Sequence, residues 1–474
     1  MYELIMWLET HVRVNSKTKM FCGCKNAVEL EWDPNVNTCP FCMGFPGALP
    51  VLNDEVVNLA TKAGLAMKCT INKTSVFDRK SYFYPDLPAW YQITQLYYPI
   101  AEHGTVSAYV NWEFKDFHIH RMHIECDAGK LVHAWNKTLC DYNRSWSPLM
   151  EIVTEPDFRT KDDVVEYLTE LQKIMRFVGA SNADMEKWQL RCDVNISVRL
   201  QWETTLRNRV EIKNMNSFSA VARAIETEYK RQVKIYESGW TIDQETRWWD
   251  DEKWTSHSLR SKEDAMDYRY FPEPDLKPLV LTDEYIAERS VKEIPIDRRK
   301  KYLEEYKFLD DDARILSAEK DISDYFESLT ELSKDPKKSC SYITTVLLAL
   351  MKESLEDVNF SSLKFETKEL ARVIELTNKD ELSSTNSKIV VEEMFLNGGK
   401  ADEIVDRLGL RQKNDTEALA KIVDEVLANS PSQIEQYKSG KVNLFGYFVG
   451  ECMKASKGQG NPKIFSELIK NKIG

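Results

Sequence analysis

One break in the texture of this sequence constrains its fold more than any single motif. Up to about Pro295 the chain is dense in aromatics, prolines and short alternating runs. Beyond it tryptophan is absent, proline is sparse and helical periodicity dominates. The first part interleaves strand-like runs with helical ones. Met1–Met6 reads as a strand, and the stretch from Tyr109-Val110 to Met122-His123-Ile124 alternates like two strands around a turn. Glu55 to Met67, Lys161 to Val178 and Ser219 to Ser238 carry a 3.6-residue apolar period. The second part reads as short helices: Asp297 to Tyr306, Tyr342 to Leu355, Thr367 to Thr377, Ser387 to Leu396, Ala401 to Leu408 and Thr416 to Ala428. The expectation is an α+β domain followed by compact all-α structure. The run Asp310-Asp311-Asp312 reads as a solvated helix start.

Charge and apolar patterning exclude several classes. A net charge of −12 removes any whole-molecule attraction to nucleic acid or anionic membrane, so a nucleic-acid contact must use a local basic patch. One exists at the C-terminal end, where Lys438, Lys441, Lys454, Lys457, Lys463, Lys470 and Lys472 face only Glu451 and Glu467. Lys454 and Lys457 precede Gly458-Gln459-Gly460, a helix end suited to a phosphate backbone. No apolar run approaches the ~20 residues of a membrane span, and no basic-then-apolar leader opens the chain, so a cytoplasmic protein is expected. In that setting the ten cysteines read as thiols or metal ligands.

Four of them form a pattern. Cys22-Gly23-Cys24 and Cys39-Pro40-Phe41-Cys42 are two tight pairs with 14 residues between them. Two knuckles joined by a loop can deliver four thiolates to a tetrahedral zinc, and four protein ligands leave no open position for water. A second cluster is acidic. Glu9 and His11, two apart, share a face if the segment is a strand. Glu125 lies in His123-Ile124-Glu125-Cys126-Asp127, and Glu151 in Leu149-Met150-Glu151. Such carboxylates with an imidazole could hold magnesium and, through it, nucleotide phosphates. A third segment, Asp78-Arg79-Lys80-Ser81-Tyr82-Phe83-Tyr84-Pro85-Asp86, sets basic residues beside aromatics that could clamp phosphate and stack a base. Arg191 to Asn195, Glu211 to Phe218 and Tyr268 to Asp275 are further segments rich in hydrogen-bonding groups. There is no GxxxxGK[ST] loop and no G-x-S-x-G elbow.

The chain holds 12 tryptophans and only 17 glycines. Glycine is about 7% of an average protein, and this chain has roughly half that share. Tryptophans also stand where glycine is wanted. Asn111-Trp112 occupies a hairpin turn that calls for positive φ, and Gly239-Trp240 follows a helical run at its C-terminus.

Taken in order, Phe21 to Cys24, Pro46 to Pro50, Asp78 to Pro88, Asp127 to Lys130, Glu151 to Asp157, Leu190 to Asn195, Glu211 to Phe218, Asp267 to Asp275 and Lys454 to Pro462 resemble the GatB family. Its members are the B-type subunits of the glutamine-dependent amidotransferases that act on Glu-tRNA(Gln) and Asp-tRNA(Asn), the GatCAB complexes. The likeness spans essentially the whole chain. It implies an α+β cradle with a largely antiparallel sheet and a zinc knuckle over 1–294, an all-α helical domain over 295–404, and a small helical YqeY-like tail over 405–474. It also implies ATP- and magnesium-dependent phosphorylation of the side-chain carboxylate of a misacylated tRNA, followed by amidation. The ammonia would come from a separate A-type amidase (glutaminase) chain, with a small C-type chain completing the complex and no membrane involved. The alternative is a non-catalytic zinc- and tRNA-binding scaffold.

Carried over by position, Glu9, His11, Glu125 and Glu151 match the family's catalytic pocket, with His11 and Glu125 on magnesium. Arg79, Lys80, Tyr82, Tyr84 and Asp86 match its nucleotide-binding wall. Cys22, Cys24, Cys39 and Cys42 match the zinc site, and Lys454 and Lys457 the part of the tail that touches tRNA. The family reads Glu-Glu-Asp-Ala-Gly-Lys where this chain has Cys126 in place of the second glutamate. It also expects glycine at Trp7, Trp90, Trp146, Trp188 and Trp254, and at Trp32, Trp112, Trp202 and Trp240. The expectation is that the source reads UGA as glycine while this sequence writes it as tryptophan, with Trp248 or Trp249 genuine.

Overall fold

The computed structural model describes residues 1–26, 33–261, 268–355, 358–412, 415–456 and 459–473. Trp32, Lys457 and Asp267 lie outside the described residues. The chain divides into two units, Met1–Arg298 and Arg299–Gly474.

The first unit is built on a nine-stranded sheet. In chain order the strands described in this unit are β1 (Tyr2–Arg13), β2 (Thr70–Ile71), β3 (Thr74–Ser81), β4 (Tyr91–Tyr98), β5 (Ala101–Val110), β6 (Glu113–Cys126), β7 (Lys130–Ala134), β8 (Lys137–Asp141), β9 (Pro148–Thr154), β10 (Leu190–Leu200), β11 (Val210–Lys213), β12 (Glu245–Asp250), β13 (Thr255–Ser261), β14 (Phe271–Pro272) and β15 (Leu279–Val280). The large sheet runs β13-β12-β11-β10-β1-β9-β6-β5-β2. Every neighbouring pair is antiparallel except β11 with β12. β3 and β4 pair in a smaller sheet, and β7 and β8 form a separate hairpin. The basic part of the segment from Asp78 to Asp86 is therefore strand rather than loop, because Asp78 to Ser81 pair with Tyr91 to Thr94.

β1 shows how sequence makes this sheet two-faced. Leu8, Thr10 and Val12 are fully buried, while Glu9 and His11 between them are not. Strand period two sends the first set to one face and the second to the other. Helices α1 (Asp54–Ala66), α2 (Lys161–Phe177) and α3 (Phe218–Glu237) follow the 3.6-residue period. α2 packs on β5 and α3 on β10. α2 opens with a reciprocal cap: Asp163 N–H donates to Thr160 Oγ1 at 3.1 Å, and Thr160 N–H donates to Asp163 Oδ2 at 2.8 Å.

The second unit is helical. Its first helices, including Pro336–Tyr342, Thr367–Asn378, Ser384–Asn397 and Ala401–Arg407, share one core around Phe326, Ile343, Leu370 and Val390. The helix expected to open at Tyr342 instead begins at Pro336, where the Asp335 side chain accepts from Lys338 N–H, and it continues through a π-helical turn at Ile343–Leu347. Asp310 to Asp312 form the first turn of a helix. A separate core holds Leu419, Val423, Phe448, Phe465 and Ile469, contributed by Thr416–Ala428, Phe445–Ala455 and Pro462–Ile473. Among the described residues no helix is long and apolar enough to cross a membrane.

The tryptophans divide by backbone. Trp90, Trp112, Trp135, Trp146, Trp188 and Trp254 have positive φ, between 30° and 70°. For a residue with a β-carbon the left-handed region costs about 1–2 kcal/mol. Trp240 departs from expectation: Gly239, at φ 80°, takes the left-handed position after α3, and Trp240 N–H closes the turn onto Ile235 O at 3.2 Å. Trp7 and Trp202 are likewise absent from the positive-φ set.

Because Thr160 is exposed, its removal leaves no cavity and isolates the cap of α2. Thr160→Ala is expected to lower unfolding free energy by about 1 kcal/mol in a urea titration.

Candidate active site

The polar face of the sheet gathers its charged groups from strands far apart in sequence. His11 of β1 is directly opposite Glu151 of β9, and Glu151 is directly opposite His123 of β6. On the other side of β1, His11 faces Arg191 and Glu9 faces Asp193 of β10. Arg191, His11, Glu151 and His123 thus form one row across four strands. Glu125 joins it from two residues further along β6. His11 Nε2 lies 3.5 Å from Glu125 Oε1 and 3.5 Å from Glu151 Oε2, while His123 Nε2 lies 3.3 Å from Glu151 Oε2. The four residues expected here therefore share one face, and His123 joins them.

The charge balance is tight. Burial disfavours a charged His11, yet its hydrogen bond with Glu151 and the field of Glu125 raise its pKa. Burial opposes charge on His123 too, but Glu151 and Glu125 push its pKa up to about 9. Burial alone would raise Glu151. His123 and His11 reverse that and hold its carboxylate well below the ordinary range. Glu9 goes the other way, raised by burial and then by Glu151 and Glu211. It accepts from Asn195 Nδ2 at 3.1 Å. Lys213 bridges Asp193 and Glu211, at 2.9 Å from the latter.

One donor atom each from His11, Glu125 and Glu151 lies within 4.8 Å of the others. Two carboxylates and an imidazole fit a divalent cation and leave most of an octahedral shell to water and phosphate oxygens. Cys126 does not belong to this set. It points to the opposite face, where its thiol donates to Ile93 O at 3.3 Å.

Beside the pocket is a cationic cluster whose assembly the sequence did not foretell. Asp127 Oδ2 lies 3.3 Å from Arg191 and 3.5 Å from Arg144. Arg13, on the same face of β1, is buried, and desolvation draws its pKa down to about 10. Burial would raise Asp127, but Arg191, Arg144 and Arg13 hold it lower. Three guanidinium groups around one carboxylate leave a surplus of positive charge. Asp127 and Arg191 fall in segments already singled out in the sequence, but nothing there sets Arg13 and Arg144 beside them.

The segment expected to form a nucleotide wall is only partly free. Arg79 makes a fork to Glu273 at 2.6 and 2.8 Å, a further bond to Asp275 at 3.0 Å, and stacks 4.1 Å over Tyr91. Lys80 Nζ sits 4.8 Å over the Tyr268 ring, which packs edge-on to Tyr82. Burial raises the Tyr82 phenol, followed by the charges of Asp86 and Glu125. Tyr84 is exposed, and burial raises the Asp86 carboxyl, whose Oδ1 has no partner.

The four cysteines converge separately. Cys22 Sγ and Cys42 Sγ are 3.6 Å apart, Cys39 and Cys42 are 3.7 Å apart, and all four sulfurs fall within 4.8 Å. A tetrahedral zinc with Zn–S of ~2.3 Å requires S···S of about 3.8 Å. A second observation fits the same ion. Lys19 is fully buried, and its ammonium donates to Cys42 Sγ at 3.4 Å and to two backbone carbonyls. A buried ammonium needs an anion, and a tetrathiolate zinc is one. The hydrogen bond from Cys22, with Lys19 beside it, draws the Cys42 thiol down to about 5.

In the tail Lys454 is exposed and pairs with Glu451 at 2.6 Å. Lys463 pairs with Asp380 and Lys472 with Asp424, so the basic patch is partly neutralised within its own unit. Exposed pairs of this kind are worth about 0–1 kcal/mol and open readily to a phosphate.

The raised His123 sets a pH dependence. Its folded pKa lies above the unfolded value of about 6.5, so its contribution is complete below that pH and is lost as pH rises through about 9. Without a cation in the pocket, urea-measured stability is expected to fall across that window, and His123→Asn to flatten the fall. For the cysteines, purified protein is expected to carry stoichiometric zinc by metal analysis, and Cys42→Ser to lose it together with thermal stability.

Comparison with known proteins gives the family. The family model described as the GatB/GatE catalytic domain matches residues 4–287, and the one described as the GatB domain matches residues 324–473. The B-type subunit of the aspartyl/glutamyl-tRNA(Asn/Gln) amidotransferase of Persephonella marina is 44% identical over 471 residues, covering 99% of this chain and 98% of that protein. Its counterpart in Myxococcus xanthus is 43% identical over 477 residues, covering 100% and 99%. With both parts matched and likeness of this order along its whole length, the chain belongs to the GatB family.

Proposed function

We propose that this chain is the kinase and transamidase component of a tRNA-dependent amidotransferase, acting on glutamate or aspartate esterified to tRNA(Gln) or tRNA(Asn). The observation that carries the reading is the row His11, Glu151 and His123 with Glu125, set beside a surplus of arginine on the same face. A carboxylate is a poor electrophile. An oxygen of the aminoacyl side chain attacks the γ-phosphorus of ATP and ADP departs, leaving an acyl phosphate. Ammonia then attacks the acyl carbon and phosphate leaves with the bonding pair.

Magnesium at His11, Glu125 and Glu151 would neutralise phosphate charge. Arg191, Arg144 and Arg13 present the positive wall on which phosphate oxygens can settle. Glu9, its pKa raised by burial and neighbouring carboxylates, is suited to take a proton from incoming ammonium or its adduct. Lys213 holds Asp193 and Glu211 in place across β10 and β11. Tyr82, Tyr84, Lys80 and Asp86 offer a surface for the nucleotide. Arg79, engaged by Glu273 and Asp275, orders that wall. Zinc on Cys22, Cys24, Cys39 and Cys42 would be structural. Glutamine would be hydrolysed by a separate A-type amidase chain, a small C-type chain would complete the assembly, and the lysines of the tail would meet the tRNA backbone.

The test is ADP release by the assembled complex, with and without misacylated tRNA. ADP release that depends on tRNA supports the reading. tRNA binding without ATP turnover would leave a zinc- and tRNA-binding scaffold. Glu125→Gln and His11→Ala are expected to abolish amide formation on tRNA while glutamine hydrolysis by the partner partly survives. Because His11 must lose its proton to bind metal, magnesium affinity should rise with pH, by up to about tenfold per unit below the His11 pKa. In filter binding, Lys454→Ala with Lys457→Ala should reduce the slope of log affinity against log salt by about 1–2, since each lost phosphate contact removes roughly 0.9.

A further inference from the structure

Six of the eleven described tryptophans lie in the left-handed region: Trp90 at 66°, Trp112 at 70°, Trp135 at 30°, Trp146 at 65°, Trp188 at 59° and Trp254 at 54°. None of the 19 phenylalanines and 20 tyrosines does, although all of them are described. The clash that forbids positive φ arises at the β-carbon, which all three residue types share. Indole chemistry therefore cannot explain the difference, and the positions themselves must.

Local structure at these sites points to one residue type. Asn111-Trp112 is the two-residue link between β5 and β6, with Val110 opposite Glu113 and φ of 50° and 70°. That is the turn in which asparagine followed by glycine is preferred. Trp135 opens the matching link between β7 and β8, with Ala134 opposite Lys137. Trp188 N–H closes a turn onto Met185 O, and Trp90 N–H closes one onto Leu87 O.

At the exposed positions the ring contacts are slight: Trp90 packs edge-on to Phe83 at 5.3 Å and Arg223 lies 5.5 Å over the Trp254 ring. Trp90, Trp112, Trp135, Trp188 and Trp254 are all exposed. Trp146 is buried, but its indole N–H has no partner. Trp249 is the contrast. It lies in extended β12, is fully buried, and donates its indole N–H to Asp251 Oδ1 at 3.0 Å. A glycine count about half the usual share is what such positions would leave behind.

We infer that positions 90, 112, 135, 146, 188 and 254 carry glycine in the protein as its cell makes it, the codon UGA being decoded there as glycine. Trp249 is a true tryptophan read from UGG. Trp135 joins this set on backbone geometry alone. Nothing in the backbone of Trp7, Trp202, Trp240 or Trp248 requires glycine. At Trp146 the inference reaches the pocket. The residue's amide donates to Asp127 O at 2.9 Å and its carbonyl accepts from Met20 N–H at 3.0 Å. Glycine keeps both bonds and removes the ring from between Phe41 and Tyr91.

Peptide mass spectrometry of the native protein decides the matter. Glycine at the six positions with tryptophan at 249 is the expected result, and tryptophan at the six would overturn the inference. The gene should show UGA at those six codons and UGG at 249, and UGG at the six would equally overturn it. In protein expressed as written, Trp112→Gly and Trp135→Gly remove exposed rings, and Trp254→Gly removes an exposed ring that Arg223 overlies at 5.5 Å. Each should raise Tm by about 2 °C, and a lower Tm in all three would count against it. None of these readouts involves amide formation, so the inference stands or falls apart from the function proposed for the pocket.

Discussion

The register of β1 between β9 and β10 is the constraint on which the site depends. Leu8, Thr10 and Val12 are buried on one face, and that burial locks the strand. A slip of one residue would turn Glu9, His11 and Arg13 into the core and Leu8 and Val12 to the polar face. With the register set, His11 has no alternative to lying beside Glu151 and Arg191. The apolar residues thus position the catalytic candidates without touching a substrate.

That sheet face balances opposed charges at close range. Glu9, Glu125 and Glu151 would repel one another if all were ionised and unpartnered. His11 and His123 rise in pKa to meet them, as protons standing where a divalent cation can stand. Next to them the arginines around Asp127 form a patch of the opposite sign. Positive and negative groups on adjacent strands put on one small surface carboxylates that could take a cation and guanidinium groups that could take phosphate oxygens. Lys19 plays the corresponding part at the cysteines, where a buried ammonium and a set of thiolates justify each other.

Much of the fold was legible in the sequence. The change at Pro295 lies three residues from the division after Arg298, because aromatic-rich alternating runs and short amphipathic helices record their class locally. The cysteine pairs were legible because tight spacing fixes two ligands at a time. Glu9 and His11 were readable as a pair because period two is a local rule. The hairpin glycine site at Trp112 was readable from its asparagine neighbour. Trp240 misled because Gly239, one residue earlier, already satisfies the helix end.

The sequence by itself determined which residues alternate, which segments are helical, where thiolates come in pairs and which family the chain resembles. These are properties of neighbours along the chain. Only the tertiary structure decided that His123 stands beside Glu151, that Arg13, Arg144 and Arg191 gather on Asp127, that Cys126 faces away, and that Lys19 points at Cys42. The row through His11 depends on strand order, here β10-β1-β9-β6, which sets β1 beside Glu151 and Arg191, each more than a hundred residues away along the chain. Lateral adjacency in a sheet is fixed by the packing of its buried face, and no local pattern encodes it.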